Sequence, residues 1–187
     1  HVKSPLMPVS ADALATMTAD LRAERTDLDI PTDAEIASAY AGVHARGRGP
    51  AISRDLAFRM PAVWVADGHG AVAPTYLYRF DWATPMLREL GIGATHGTEL
   101  PYVWGNLVNG RKDITFRLGG LRTGRALSAR VQSRWIAFAC GEEPDAEGAP
   151  SWPRYDAVGR RSLVIDREDR VVHDLDADQR AAWGPVA

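Results

Sequence analysis

The 187-residue sequence predicts an α/β fold that is incomplete by itself. Several stretches carry apolar residues at the three- and four-residue spacing of amphipathic helices, which alternate with short β-branched and aromatic runs. Only one of those runs, Thr75–Phe80, reads as a convincing central strand. A parallel sheet needs several strands and cover on both faces, so this chain lacks part of the layer structure its helices are patterned for.

Each element has a local signal. Ser10 is placed to cap a helix whose apolar positions Leu14, Met17 and Leu21 share a face. Thr32 and Glu35, after Pro31, form a capping-box pattern, and the stripe Ile36, Tyr40 and Val43 follows, with an expected stop at Gly47 and Gly49. A third helix is expected from about Ser53 to Asp67, carrying Leu56, Val63 and Trp64, with Pro61 kinking or restarting it. The strand at 75–80 leads into a glycine-rich loop. The longest helix is expected to start after Gly119-Gly120 and run to Ala139, with Leu127, Val131, Trp135 and Phe138 on its core face. Gly141 to Pro153 is the most loop-like stretch. Ser162–Asp166 and Arg170–His173 flank a charged turn and read as a hairpin near a sheet edge, and a helix from Asp176 to Trp183 ends the pattern. No internal repeat or low-complexity tract is present.

Composition excludes more than it specifies. With 45% apolar and 25% charged residues the chain is an ordinary globular sequence. A net charge of −2 offers no electrostatic case for nucleic acid. The densest basic clusters, Arg46 with Arg48 and Arg122, Arg125, Arg130 and Arg134, read as solvated arginines. Cys140 is the single cysteine, so no internal disulfide is available, and it reads as an unreactive thiol near a helix end. No run of eighteen apolar residues is present, and no membrane span is expected. His1, His44, His69 and His173 share no ligand spacing, so neither a metal nor another cofactor is expected. The chain opens on His1 rather than methionine, so it is expected to be a piece of a larger product, and localisation stays open.

His96 carries the chemistry. It lies in Gly91-Ile92-Gly93-Ala94-Thr95-His96-Gly97-Thr98-Glu99-Leu100-Pro101-Tyr102-Val103-Trp104-Gly105-Asn106, where glycines at 91, 93 and 97 permit the turns that present an imidazole at a cleft. From His96 to Asn106 the string resembles the histidine motif of the type-B carboxylesterase/lipase family, the cholinesterase-like α/β-hydrolases, with Trp104 where that family usually has Phe. The resemblance extends to Ser53–Ala62, Tyr76–Trp82, Ser133–Ala139, Trp152–Asp156 and Arg180–Trp183 in the family's order. It is strongest over residues 50–183. It implies that residues 1–187 are the C-terminal segment, about the last third, of a single α/β-hydrolase domain.

In such enzymes the serine lies in a Gly-x-Ser-x-Gly elbow, and the chain order is Ser, then Asp or Glu, then His. None of the eight serines here has glycines two residues before and after, and no His-Gly-Gly-Gly-like oxyanion segment is present. The resemblance places the triad acid at or before His1. It therefore implies a carboxylic-ester hydrolase acting by a Ser-Glu/Asp-His triad, in which this chain supplies His96 as general base and acid. An N-terminal segment of the same esterase would carry the nucleophile and acid, and the substrate would be a small-molecule ester. Glu99 is expected either as a buried carboxylate supporting His96 or as a local cap or solvated acid. Asp55 resembles a position that pairs with an arginine of the last helix, here Arg180. The alternative from another class is a non-catalytic esterase-like binding module, against which the intact His96 argues.

Overall fold

A computed structural model describes residues 11–26, 30–108 and 114–184 and divides the chain into two compact units. Residues 1–73 and 174–187 belong to the first, and residues 74–173 to the second. The expected cap at Ser10 lies outside the described residues.

The first unit is helical: α1 (Ala11–Glu24), α2 (Asp33–Ala39), α3 (Ala45–Arg54), a π-helical turn (Asp55–Arg59), α4 (Met60–Gly70) and α8 (Ala177–Trp183). The capping box forms as its sequence requires: the Thr32 hydroxyl accepts from the Glu35 N–H while the Thr32 N–H donates to the Glu35 carboxylate. The second helix stops earlier than expected, at Ala39, and Gly47, Gly49 and Pro50 fall inside a new helix, α3. Propensity disfavours that helix, so packing in the unit must hold it. Pro61 does disturb the helix, but upstream of itself. A proline ring collides with the carbonyl four residues back, and here the preceding turn widens so that the Met60 N–H reaches the Asp55 carbonyl.

Asp55 is fully buried beneath this turn, and its partners differ from the expected one. It accepts from the Tyr40 hydroxyl at 2.6 Å and from Arg54 and Arg59. Arg180 pairs instead with Asp174, six residues back along its own segment. The C-terminal helix is held by other bonds: Trp183 Nε1 donates to the Tyr40 hydroxyl at 2.9 Å, and Gln179 donates to the Ala39 carbonyl.

The second unit is α/β. Strand β1 (Tyr78–Phe80) pairs parallel with β2 (Arg161–Ile165), and β2 pairs antiparallel with β3 (Arg170–His173). The expected hairpin is present, and β2 is the middle strand of the three. Leu163, Val164 and Ile165 are all buried, so both faces of β2 are covered. Only the last three residues of the expected 75–80 strand enter the ladder. Thr75 and Leu77 remain extended enough to accept from the Tyr155 and Leu163 N–H groups.

The long helix α7 (Leu121–Ala139) begins immediately after Gly119-Gly120 and ends at Cys140, the exposed C-cap. Its core face is not the expected one. Leu127 and Val131 are buried, but Trp135 and Phe138 are 44% and 54% exposed, and the place on that stripe belongs to Arg134. Phe138, in the final turn, meets the Tyr76 ring edge-on at 5.8 Å. The core gathers Leu127 and Val131 with Trp82, Tyr102, Phe116, Trp152, Leu163 and Ile165.

Candidate active site

The peptide from Thr75 to Asn106 builds the site in four steps. Strand β1 delivers the chain to Trp82 and Thr84, both buried. Thr84 caps the short helix α5 (Pro85–Glu89) by accepting from the Leu87 N–H, and its hydroxyl donates to the Thr115 carbonyl at 2.7 Å. At the end of α5 the Leu87 carbonyl receives the N–H groups of Ile92 and Gly93, with Gly91 and Gly93 in the left-handed region that glycine adopts without strain. The chain then enters the turn that bears His96.

That turn is closed from within. Thr95 donates its N–H to the Thr98 hydroxyl at 3.1 Å, and the hydroxyl and N–H of Thr98 both donate to the Thr95 carbonyl, at 2.7 and 3.1 Å. Gly97, at φ +79, completes the reversal. His96 lies between the two threonines in the chain and is exposed. The imidazole is thus presented by a backbone whose polar groups are spent on one another.

Glu99 follows at the head of helix α6 (Leu100–Val103). Its backbone carbonyl accepts from the Tyr102 and Val103 N–H groups, but its carboxylate makes no capping bond, so the local-cap expectation fails. The side chain is half-buried and lies close enough to Tyr78 to be felt there. Burial pushes the Tyr78 phenol up, and the Glu99 charge adds to that shift.

Tyr102 fastens α6 to the unit. Its hydroxyl accepts from Trp82 Nε1 at 2.9 Å, its ring packs on Phe80 with centroids 5.1 Å apart, and its carbonyl accepts from the Ser128 hydroxyl at 2.6 Å. Gly124 of α7 permits this approach, because a Cβ there would stand 3.0 Å from the Phe116 ring and 3.4 Å from the Tyr102 ring. Ser128 is committed to the Tyr102 carbonyl and Ser151 to Asp145, so both hydroxyls hold structure. The anchoring role of Tyr102 was hidden in the sequence, where it stood only as one matching letter of the motif.

The arginine cluster on α7 also needs correction. Arg122 and Arg125 are exposed, as read, but Arg134 is fully buried and Arg130 is half-buried. Both converge on Asp169, at 3.3 and 3.0 Å, and Arg134 also donates to the Pro144 and Pro150 carbonyls. These bonds tie the 141–153 loop to α7. Spacing offered a clue: Arg134 follows Leu127 by seven residues, on the buried stripe. Among the described residues no cluster of His, Cys, Asp and Glu is arranged to hold a metal ion, and no helix is long and apolar enough to cross a membrane.

The carboxylesterase family model matches residues 40–183. Similar proteins include the para-nitrobenzyl esterase of Bacillus subtilis (strain 168), 35% identical over 137 residues, which cover 70% of this chain and 26% of that protein. The cocaine esterase of Oryctolagus cuniculus is 33% identical over 132 residues, 69% of this chain and 24% of that protein. Among solved structures, a PNB esterase superposes with a TM-score of 0.66 at 26% identity, covering 96% of this chain and 34% of that one. A thermophilic PNB esterase gives 0.69 at 26% identity, covering 96% and 35%. The chain spans about a quarter of the length of these curated relatives and about a third of these structures. The solved neighbours have the α/β-hydrolase fold, of which this chain holds a part. With its histidine motif, its sheet and most of its length inside that match, the chain belongs to the carboxylesterase family.

Proposed function

We propose that residues 1–187 are one segment of a single α/β-hydrolase domain and supply the general base of a serine carboxylesterase. The observation that carries this is His96, exposed on a glycine-hinged turn that Tyr102 anchors to the core, in a chain with no Gly-x-Ser-x-Gly of its own. A complementing segment of the same esterase brings the serine, the triad acid and the oxyanion hole. Exposed Trp104, Trp135 and Ile136, together with the unpaired outer edge of β1 among the described residues, support a surface that such a segment covers.

In the assembled site the serine hydroxyl attacks the ester carbonyl while His96 Nε2 takes its proton. The imidazolium then gives that proton to the departing alcohol as the acyl-enzyme forms. Water enters next and loses a proton to the same nitrogen, and the carboxylic acid leaves as the imidazolium returns that proton to the serine oxygen. An imidazole suits both tasks because its ordinary titration lies near neutrality. The complementing acid holds Nδ1–H, and Glu99 positions the turn through its half-buried carboxylate. No cofactor is required.

The test is reconstitution. Residues 1–187 are purified with and without a family segment that bears the Gly-x-Ser-x-Gly elbow, and hydrolysis of a p-nitrophenyl ester is followed. The isolated chain is expected to be inactive and to aggregate, and the assembled pair to turn over ester in a His96-dependent way. Turnover by the isolated chain, or assembled turnover indifferent to His96→Ala, would overturn the proposal, the latter in favour of a binding module.

A further inference from the structure

The first unit contains an open cavity of about 290 Å³ between α1, α2 and α3. Ala15, Ile36, Ala37, Ala45 and Ile52 contribute apolar wall, and Gly49 brings bare backbone to the surface. Polar groups reach the lining from Thr18, Asp33 and Arg48. Two of these have partners: the Thr18 hydroxyl donates to the Ala15 carbonyl, and Asp33 takes Arg22 at 2.6 Å. Arg48 is different. Among the described residues its guanidinium faces no carboxylate, its Nε is buried without a hydrogen-bond partner, and its Nη2 makes only a 3.5 Å contact to the Val43 carbonyl. A buried N–H donor left without a partner is costly, and Arg48 carries one at Nε.

Gly47 and Gly49 flank Arg48, and Pro50 follows, in a helix where such residues cost about 1 kcal/mol for each glycine and more for the proline. A sequence selected for helix stability alone would not place them there.

We infer that this cavity binds a short-chain aliphatic monocarboxylate, with the carboxylate on the Arg48 fork and the alkyl chain against Ile36 and Ile52. A planar carboxylate matches a guanidinium fork in two parallel hydrogen bonds. The walls are apolar, and the volume lies at the low end of ligand-sized pockets, which suits a chain of a few carbons. Inorganic anions would use the arginine and leave the walls idle. Aliphatic alcohols would do the reverse. The Asp33 charge repels an anion, but Arg22 offsets it through their ion pair. This inference rests on the first unit alone, and it stands or falls without the esterase reading.

The chain assembled with its complementing segment is titrated with hexanoate labelled with ¹³C at the carboxyl, alongside hexanol and inorganic phosphate, and binding rather than turnover is read. Saturable hexanoate binding is expected, with hexanol and phosphate each weaker by about tenfold or more. Arg48→Gln should weaken hexanoate by at least about tenfold. Ile52→Phe, which fills the apolar end and leaves the charge in place, should weaken hexanoate while leaving the residual phosphate binding unchanged. Circular dichroism establishes that each variant is folded, and if Arg48→Gln fails to fold then Ile52→Phe decides. Absence of saturation at millimolar hexanoate, equal affinity for phosphate, or indifference to Ile52→Phe would each overturn the inference.

Discussion

The His96 turn and the Arg134–Asp169 clamp lie in the same unit and use opposite physical means. The turn is local: Thr95 and Thr98 satisfy one another, glycines supply the reversals, and the His96 side chain is left exposed. The clamp is long-range, joining α7 to a carboxylate 35 residues further on and to two loop carbonyls, with both charged groups about 1% exposed. A side chain at the turn can be exchanged with little change in packing, whereas one at the clamp leaves a buried charge behind. Activity should therefore separate from stability along this line.

The sharpest separation is expected at His96. In the assembled enzyme, His96→Ala should lower kcat by about 10³ to 10⁶ with far less change in KM. Its melting temperature should match the parent. Steady-state kinetics and thermal unfolding on the same preparation check both halves, and a large stability loss would erase the contrast.

Asp169→Ala should invert the pattern. Removing the shared carboxylate strands Arg134 in the interior, a change worth about 3–5 kcal/mol of stability. Burial already disfavours the Arg134 charge, and Asp169 is what opposes that shift. A double change, Arg134→Met with Asp169→Leu, should recover much of the loss, because an apolar pair needs no compensation. Denaturant unfolding measures both, and equal destabilisation by the single and double variants would show that the clamp does more than hold charge.

Glu99→Gln tests the boundary between the regions. A carboxylate that only positions the turn predicts an intermediate loss of about ten- to a thousand-fold in kcat, by analogy with outer-shell partners at metal sites. Gln keeps the shape, so stability should hold. A loss as severe as that of His96→Ala would make Glu99 the triad acid.

The smallest effect belongs to the first unit and appears only in alkali. Burial, reinforced by the hydrogen bond to Asp55, raises the Tyr40 phenol well above its ordinary value near 10. A group whose pKa is raised on folding contributes stability that is fully present below the unfolded value and lost as pH rises above it. Unfolding free energy should thus decline from about pH 10 upward, and Tyr40→Phe should lack that component of the slope. An identical slope in the variant would mean that other groups govern alkaline unfolding.

How much was legible follows the same local and long-range division. The capping box at Thr32 and Glu35, the start of α7 after Gly119-Gly120 and the hairpin of β2 and β3 were readable because each signal lies within a few residues of its effect. The run through Gly47 and Gly49 was not, since packing outweighed propensity there. Arg134 was misjudged because an arginine pattern does not show whether a carboxylate waits beneath it. Asp55 was assigned the wrong arginine because Arg54 and Arg59, on its own helix, reach it first and leave Arg180 to Asp174.

The sequence by itself determined the residues proposed to do chemistry and the short-range geometry that displays them: an imidazole, the glycines and threonines around it, and the absence of a serine elbow. Chain neighbours fix such features, so a linear reading suffices. Tertiary structure alone decided which charges go inside, how Tyr102 secures the His96 turn to Trp82 and Ser128, and that Arg48 stands beside a cavity with its Nε buried and unpartnered. Each of these depends on groups far apart in the chain, or on space between helices, and burial has no signature until the chain is folded.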